Sequence, residues 1–151
     1  MENLNKVAEI ELTYKTKVKA SERKQIHDSK SCSTIFKSIE AYEKNMEIKE
    51  VFYTMYLNRH NKVLAVMKIS EGGITGTVVE TKHVIKPAID LNASSIILCH
   101  NHPSGNTTPS SADKEITQKI KQAALLFDIT LMDHLIITEE SYYSFADEEN
   151  I

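Results

Sequence analysis

A chain of 151 residues has room for one ordinary domain and not two. Hydrophobic residues at 41% and charged residues at 26% match soluble globular chains, which excludes wholesale disorder. Eighteen basic against 21 acidic side chains give a formal net charge of −3, which excludes a histone-like polycation and gives duplex DNA no global attraction.

Met1 to Lys6 lacks the apolar centre of a secretory signal, so the expected compartment is the cytoplasm. Ala8, Ile10, Leu12 and Tyr14 alternate with mostly polar neighbours and predict a first strand. Lys15, Lys17, Lys19, Arg23 and Lys24 then stand against Glu22 alone: a solvated basic linker, with a nucleic-acid contact as the sharper alternative. Residues 1–30 are thus read as a strand plus a basic linker. A helix is expected to begin near Ser31, with Ile35, Phe36 and Ile39 at helical spacing. Val51–Leu57 and Val63–Met67 read as strands flanking a hairpin connection, Asn58 to Asn61. A third apolar piece, Ile74 to Val79, follows Gly72-Gly73. A helix from about Lys82 to Leu91 contains Pro87, which should kink it or shift its start.

Ser94 to Cys99 is apolar on both faces, a central strand far short of the ~18–20 residues of a membrane span. Ser110 to Phe127 reads as an amphipathic helix with Ile116, Ile120, Ala123, Ala124 and Phe127 on one stripe. Leu131 and Leu135–Ile137, then Tyr142–Phe145, supply two more strands. The acidic end, with Asp147, Glu148 and Glu149, reads as a solvated tail, and residues 148–151 are set apart as such. Cys32 and Cys99 are too few for a disulfide framework and lack thiolate-zinc spacing. The pattern predicts an α/β fold, a single-domain mixed β-sheet layered with helices.

The segment with chemistry runs from His100 to Asp113. His100 and His102 stand at i and i+2 on a strand end, so they share a face and can converge on one ion. A turn-rich loop, Pro103 to Pro109, leads to a helix whose first turn carries Asp113. Three ligands with a fourth position open is the arrangement of catalytic zinc. Ser110-x-x-Asp113 also reads as a capping box, and a cap hydroxyl can still face a substrate. The His-Glu-x-x-His helix of common zinc proteases and the Pro-Cys-x-x-Cys of zinc deaminases are both absent. Alternation turns Cys99 to the opposite face, toward the core. His27, His60 and His83 have no constellation around them and read as surface residues.

His100-x-His102-Pro103 followed by Ser110-x-x-Asp113 resembles the JAMM signature of JAB/MPN metallopeptidases. The finer wording is similar to the RadC-like branch: His100-Asn101-His102-Pro103-Ser104-Gly105, Asp133-His134-Leu135 and Tyr143-Ser144-Phe145. The resemblance implies a JAB/MPN, cytidine-deaminase-like architecture over residues 31–147. It also implies one zinc ion per chain, held by His100, His102 and Asp113, and hydrolysis of an amide bond. By the family pattern Glu71, five residues before Gly76-Thr77, is the general base and then acid, and Ser110 donates to the developing oxyanion. Asp133 and His134 belong to the branch signature; His134 either orients a metal ligand through its ring N–H or is a satisfied core histidine.

The expected function is therefore a zinc-dependent peptidase or isopeptidase acting on a protein or peptide, with no membrane partner. Two alternatives stand beside it. One is a DNA-repair-associated or nucleic-acid-associated accessory protein, supported by the basic stretch. Longer RadC-like proteins carry a helix-hairpin-helix region, and nothing before Val51 reads as one. The other is a catalytically silent MPN scaffold, which would have no need of the ligand set.

Overall fold

The computed structural model describes residues 8, 10–39, 42, 44, 46–72 and 77–151. Helix α1 (Ser29–Lys37) starts where Asp28 accepts a hydrogen bond from the Ser31 N–H at 2.6 Å, closing a capping box. Strands β1 (Val51–Leu57) and β2 (Val63–Glu71) form an antiparallel hairpin, and β2 runs four residues further than its apolar stretch. Helix α2 (Thr81–Asp90) continues through Pro87, which does not shift its start. Strand β3 (Ser95–Asn101) is buried along its whole length, as a strand apolar on both faces must be. Helix α3 (Ser111–Leu125) crosses over to β4 (Thr130–Ile137), and β5 (Tyr142–Ser144) closes the chain's last turn.

The strand order is β2-β1-β3-β4-β5. Only β3 and β4 pair in parallel, with α3 as their crossover, so the sheet is mixed. One face packs Val51, Tyr53, Met55, Ile97, Cys99 and Leu135 against Cys32 and Phe36 of α1 and against Tyr42. The other packs Phe52, Tyr56, Ile96 and Leu98 against α2 and α3. Helices thus cover both faces, and the C-terminal end of β3 opens between α3 and the start of β1.

Three expectations change. Among the described residues 8 and 10–16 there is no strand; Ile10 is 88% exposed, and the Tyr14 hydroxyl donates to the Leu64 carbonyl at 2.9 Å. Alternation alone made no strand because β2's open edge is engaged by that single hydroxyl and, further along, by Lys24 to Ile26. Of the third apolar piece, Gly73 to Gly76 lie outside the described residues, and Thr77 to Val79 form no strand. Phe127 leaves the buried stripe because α3 ends at Leu125 and the chain turns at Asp128, whose φ is +56°. The acidic end is solvent-exposed, as a solvated tail should be, and it is also tied down: Ser29 donates to Asp147 at 2.5 Å, and the N–H of Glu148 bonds the Ser144 carbonyl. No helix among the described residues is long and apolar enough to cross a membrane.

Candidate metal centre

Antiparallel pairing sets Phe52 opposite His100, and parallel pairing sets Leu98 opposite His134. Period-2 alternation then puts Phe52, His100, His102 and His134 on one face. His100 is 1% exposed and stacks on Phe52, with ring centroids 5.7 Å apart. His134 is fully buried and stacks on Phe145 at 4.9 Å.

Asp113 reaches this group from the first turn of α3. Its Oδ1 lies 3.1 Å from His100 Nε2, its Oδ2 lies 3.2 Å from His102 Nε2, and the two Nε2 atoms are 3.0 Å apart. The three side chains offer ligand atoms all within 4.8 Å of one another. Local chemistry aims each. The capping box holds Asp113: the Ser110 N–H donates to Oδ2 at 2.8 Å, and the Asp113 N–H donates to Ser110 Oγ at 3.1 Å. His102 is aimed by a turn in which the Gly105 N–H bonds the His102 carbonyl, with Gly105 in the left-handed region at φ +82°. That turn returns the Asn106 carbonyl to His102 Nδ1 at 2.7 Å. A carbonyl only accepts, so Nδ1 carries the proton and Nε2 faces the centre as a lone pair.

Two imidazole nitrogens and one carboxylate suit a divalent transition ion such as zinc, and the open side leaves room for further ligands. Burial would raise the Asp113 carboxyl, but the His100 and His102 rings beside it outweigh that and hold the group well below the usual carboxylate range. Burial lowers His134 far below the ordinary histidine range, keeping it neutral. His102 is depressed by burial, yet the Asp113 carboxylate beside it and its bond to the Asn106 carbonyl raise it on balance.

The centre opens into a cleft of about 940 Å³ lined by Glu50, Phe52, Ser70, Glu71, His102 and Ser110 among others. Two glutamates of this cleft bear on the expected proton carrier. Glu71 stands at the cleft's rim with both carboxylate oxygens engaged, one by Lys49 and the other by Lys68 at 2.9 Å. Those two ammonium groups hold its pKa down to about 2. Glu50 precedes β1 and is half-buried, and among the described residues no hydrogen bond or ion pair holds its carboxylate. Burial pushes its pKa up, while His100 and His102 pull it down and Asp113 pushes it up again, so its charge is felt by all three ligands. Sequence reading missed Glu50 because no local motif marks it; the available signal was an acid immediately before a seven-residue apolar strand.

The other expected residues separate. Ser110 lines the cleft, with its oxygen accepting in the cap and its hydroxyl proton uncommitted. His134 does touch a ligand, with Nε2 at 2.8 Å from His100 Nδ1. Asp133 does not: alternation turns it to the opposite face, where it accepts from Ser144 Oγ at 2.6 Å and from the N–H groups of His134 and Ala146. It fastens the C-terminal turn to β4. Thr117 and Asn101 were not anticipated. Thr117 lies 2.6 Å from His134 Nδ1. Asn101 faces away from the centre and bonds Val51 N–H, Met46 O and Lys49 O, pinning the segment that carries Glu50. Cys99 is fully buried, and His27, His60 and His83 are exposed, as expected.

Residues 26–150 match the family model of the RadC-like JAB domain. A UPF0758 protein of Flavobacterium johnsoniae is 46% identical over 125 residues, covering 83% of this chain and 53% of that protein. UPF0758 protein YfjY of Escherichia coli K12 is 48% identical over 99 residues, 66% of this chain and 62% of that protein. A UPF0758 protein of Haemophilus ducreyi is 42% identical over 106 residues, 70% of this chain and 48% of that protein. The matched part spans about half to three-fifths of the length of these relatives. With the family model covering most of its length and its signature residues converging on one centre, the chain belongs to the RadC-like JAB domain family.

Proposed function

We propose that the protein is a zinc-dependent hydrolase of amide bonds, a peptidase or isopeptidase. One observation carries the reading: three convergent donor atoms face a cleft in which a half-buried carboxylate, that of Glu50, has no partner among the described residues. His100, His102 and Asp113 would hold the ion. When bound, zinc supplies a Lewis acid for the amide carbonyl and lowers the pKa of its water toward ~7.

The remaining roles fall to the chain's own groups. Glu50 takes a proton from the attacking water and returns it to the leaving amine, a task suited to an acid whose pKa burial has raised toward working pH. Glu71 is unsuited to it, because a carboxylate held near pKa 2 by two lysines is a weak base. The Ser110 hydroxyl donates to the carbonyl oxygen as it gains charge; loss of one such donor costs ~3–4 kcal/mol of transition-state stabilisation.

A nucleic-acid-associated role has one observation of its own. The basic stretch forms a loop clamped at both ends to the edge of β2, by Tyr14 to Leu64 O and by Val63 N–H to Lys24 O. With a net charge of −3, such binding would be weak and steeply salt-dependent. The deciding experiment measures zinc in protein purified without added metal, then screens fluorogenic peptide and isopeptide substrates. About one zinc per chain with cleavage abolished by Glu50→Gln is expected. A protein that stays metal-free after equilibration with zinc, or one that binds DNA tightly and sequence-specifically at physiological salt, would replace this reading.

A further inference from the structure

The branch residue His134 has no part in the chemistry above, yet it ends a chain of short contacts whose direction can be worked out. Thr117 Oγ1 lies 2.6 Å from the Asp113 carbonyl oxygen. A carbonyl only accepts, so the single hydroxyl proton of Thr117 is committed there. The same oxygen lies 2.6 Å from His134 Nδ1, and with its proton used it accepts. His134 therefore carries a proton on Nδ1. Its ring is fully buried beside Phe52 and Phe145, an apolar casing that favours the neutral form. Nε2 is then bare, and it meets His100 Nδ1 at 2.8 Å, so His100 donates. The lone pair of His100 is left on Nε2, the atom that faces His102 and Asp113.

We propose that Thr117 and His134 are positioning residues that form a one-way relay, fixing His100 as the Nδ1–H tautomer with its Nε2 lone pair aimed at the metal. The inference rests on the zinc reading for its purpose and on hydrogen-bond direction for its substance. It differs from both roles read for His134 in the sequence, orienting a ligand through its ring N–H or filling the core, because here the ring acts as an acceptor. The relay also begins on the backbone of one ligand, Asp113 on α3, and ends on the ring of another, His100 on β3. It therefore sets the register between two elements that must deliver ligands to one point. Partners of metal-bound imidazoles are most often carboxylates, carbonyls or water. A neutral imidazole in that place adds no charge, so Asp113 alone among these residues offsets the ion.

Two measurements test it. Nitrogen-15 NMR of the wild type, metal-free and zinc-loaded, should find His134 as the Nδ1–H tautomer, the one free histidine disfavours. Zinc affinity, read by competition with a chromophoric chelator, should fall ~10–100-fold in His134→Phe, which fills the ring's space without an acceptor. His134→Gln, whose amide oxygen can accept from His100, should stay within a few fold of wild type. Thr117→Val should weaken zinc and Thr117→Ser should restore it. An Nε2–H tautomer for His134, or His134→Phe binding zinc as tightly as wild type, overturns the relay. A purely structural role would lower Tm of the metal-free variants and leave their zinc affinity unchanged. If wild type binds no zinc, the hydrolase reading falls, while the metal-free tautomer still decides the relay. If His134→Phe does not fold, the Thr117 pair decides it.

Discussion

The two faces of the sheet at the end of β3 handle buried polar groups in opposite ways. On the Asn101 face the two buried polar side chains at this end are closed: Asn101 bonds one N–H and two carbonyls, and Asp133 bonds one hydroxyl and two N–H groups. On the His100 face the polar groups are closed on one side only. His100 and His102 are each fixed through Nδ1 and present Nε2 to a shared point, and Glu50 nearby has no partner among the described residues. A folded chain keeps buried polar atoms paired unless something else will pair them. The first face is therefore support, and the second is a site.

Breaking the open face directly should give the largest effect. His100→Ala removes a ligand, so near-stoichiometric zinc should be lost, and with it the stabilisation that binding adds to the folded state. Asp113→Asn should weaken zinc more mildly by replacing an anionic ligand with a neutral one. Metal content and Tm with and without zinc check both. Wild-type zinc content in His100→Ala would move the site elsewhere.

The two glutamates at the cleft repeat the comparison within one cavity. Glu50→Gln should retain zinc and lose ~10²–10⁴-fold in rate, the usual general-base contribution. Glu71→Gln should change the rate by no more than a few fold, since its carboxylate is already spent on Lys49 and Lys68. Rate and zinc content measured together on one cleavable substrate decide this. The reverse ranking would return the proton to Glu71.

These outcomes bear on what the sequence could reveal. The ligands were legible because His100, His102 and Asp113 lie within fourteen residues and their geometry follows from strand alternation and a helix start. Strands β1 and β3 were legible because they are apolar on both faces. Glu50 was not, because only the pairing of β1 with β3, with Phe52 opposite His100, carries it to the centre. Glu71 fitted a spacing pattern, but the lysines that occupy it are three and twenty-two residues away, and nothing local foretells both. Thr117 is visible as Asp113 plus one helical turn only once Asp113 is known to face inward. At the N-terminus, alternation from Ala8 to Tyr14 promised a strand, but a strand needs an edge to pair with along its length.

The closed face can be opened by a single change. Asn101→Ala would leave the Val51 N–H without a partner, costing on the order of 1–3 kcal/mol, and would free the Met46 and Lys49 carbonyls as well. The proposed metal ligands are untouched, so metal should be retained while Tm falls. The rate should also fall, because the segment bearing Glu50 is no longer pinned. Loss of zinc with unchanged stability would make Asn101 part of the site and not its support.

The smallest effect is one of sign. Glu71 is held at about 2 against an ordinary value near 4.5, so its ion pairs stabilise the fold above pH 4.5 and lose that contribution as pH falls toward 2. Its carboxylate and its two lysine partners are solvent-accessible, so the effect should be slight and should shrink in salt. Glu50 runs the other way: its pKa is raised by burial, so its contribution is present below about 4.5 and is lost as pH rises through the folded value. In metal-free protein at neutral pH, Glu50→Gln should therefore raise Tm, and Glu71→Gln should lower it slightly. Thermal melts of both variants between pH 3 and 8 check this. A fall in Tm for Glu50→Gln at neutral pH would mean its carboxylate has a partner after all, and the open face would lose its proton carrier.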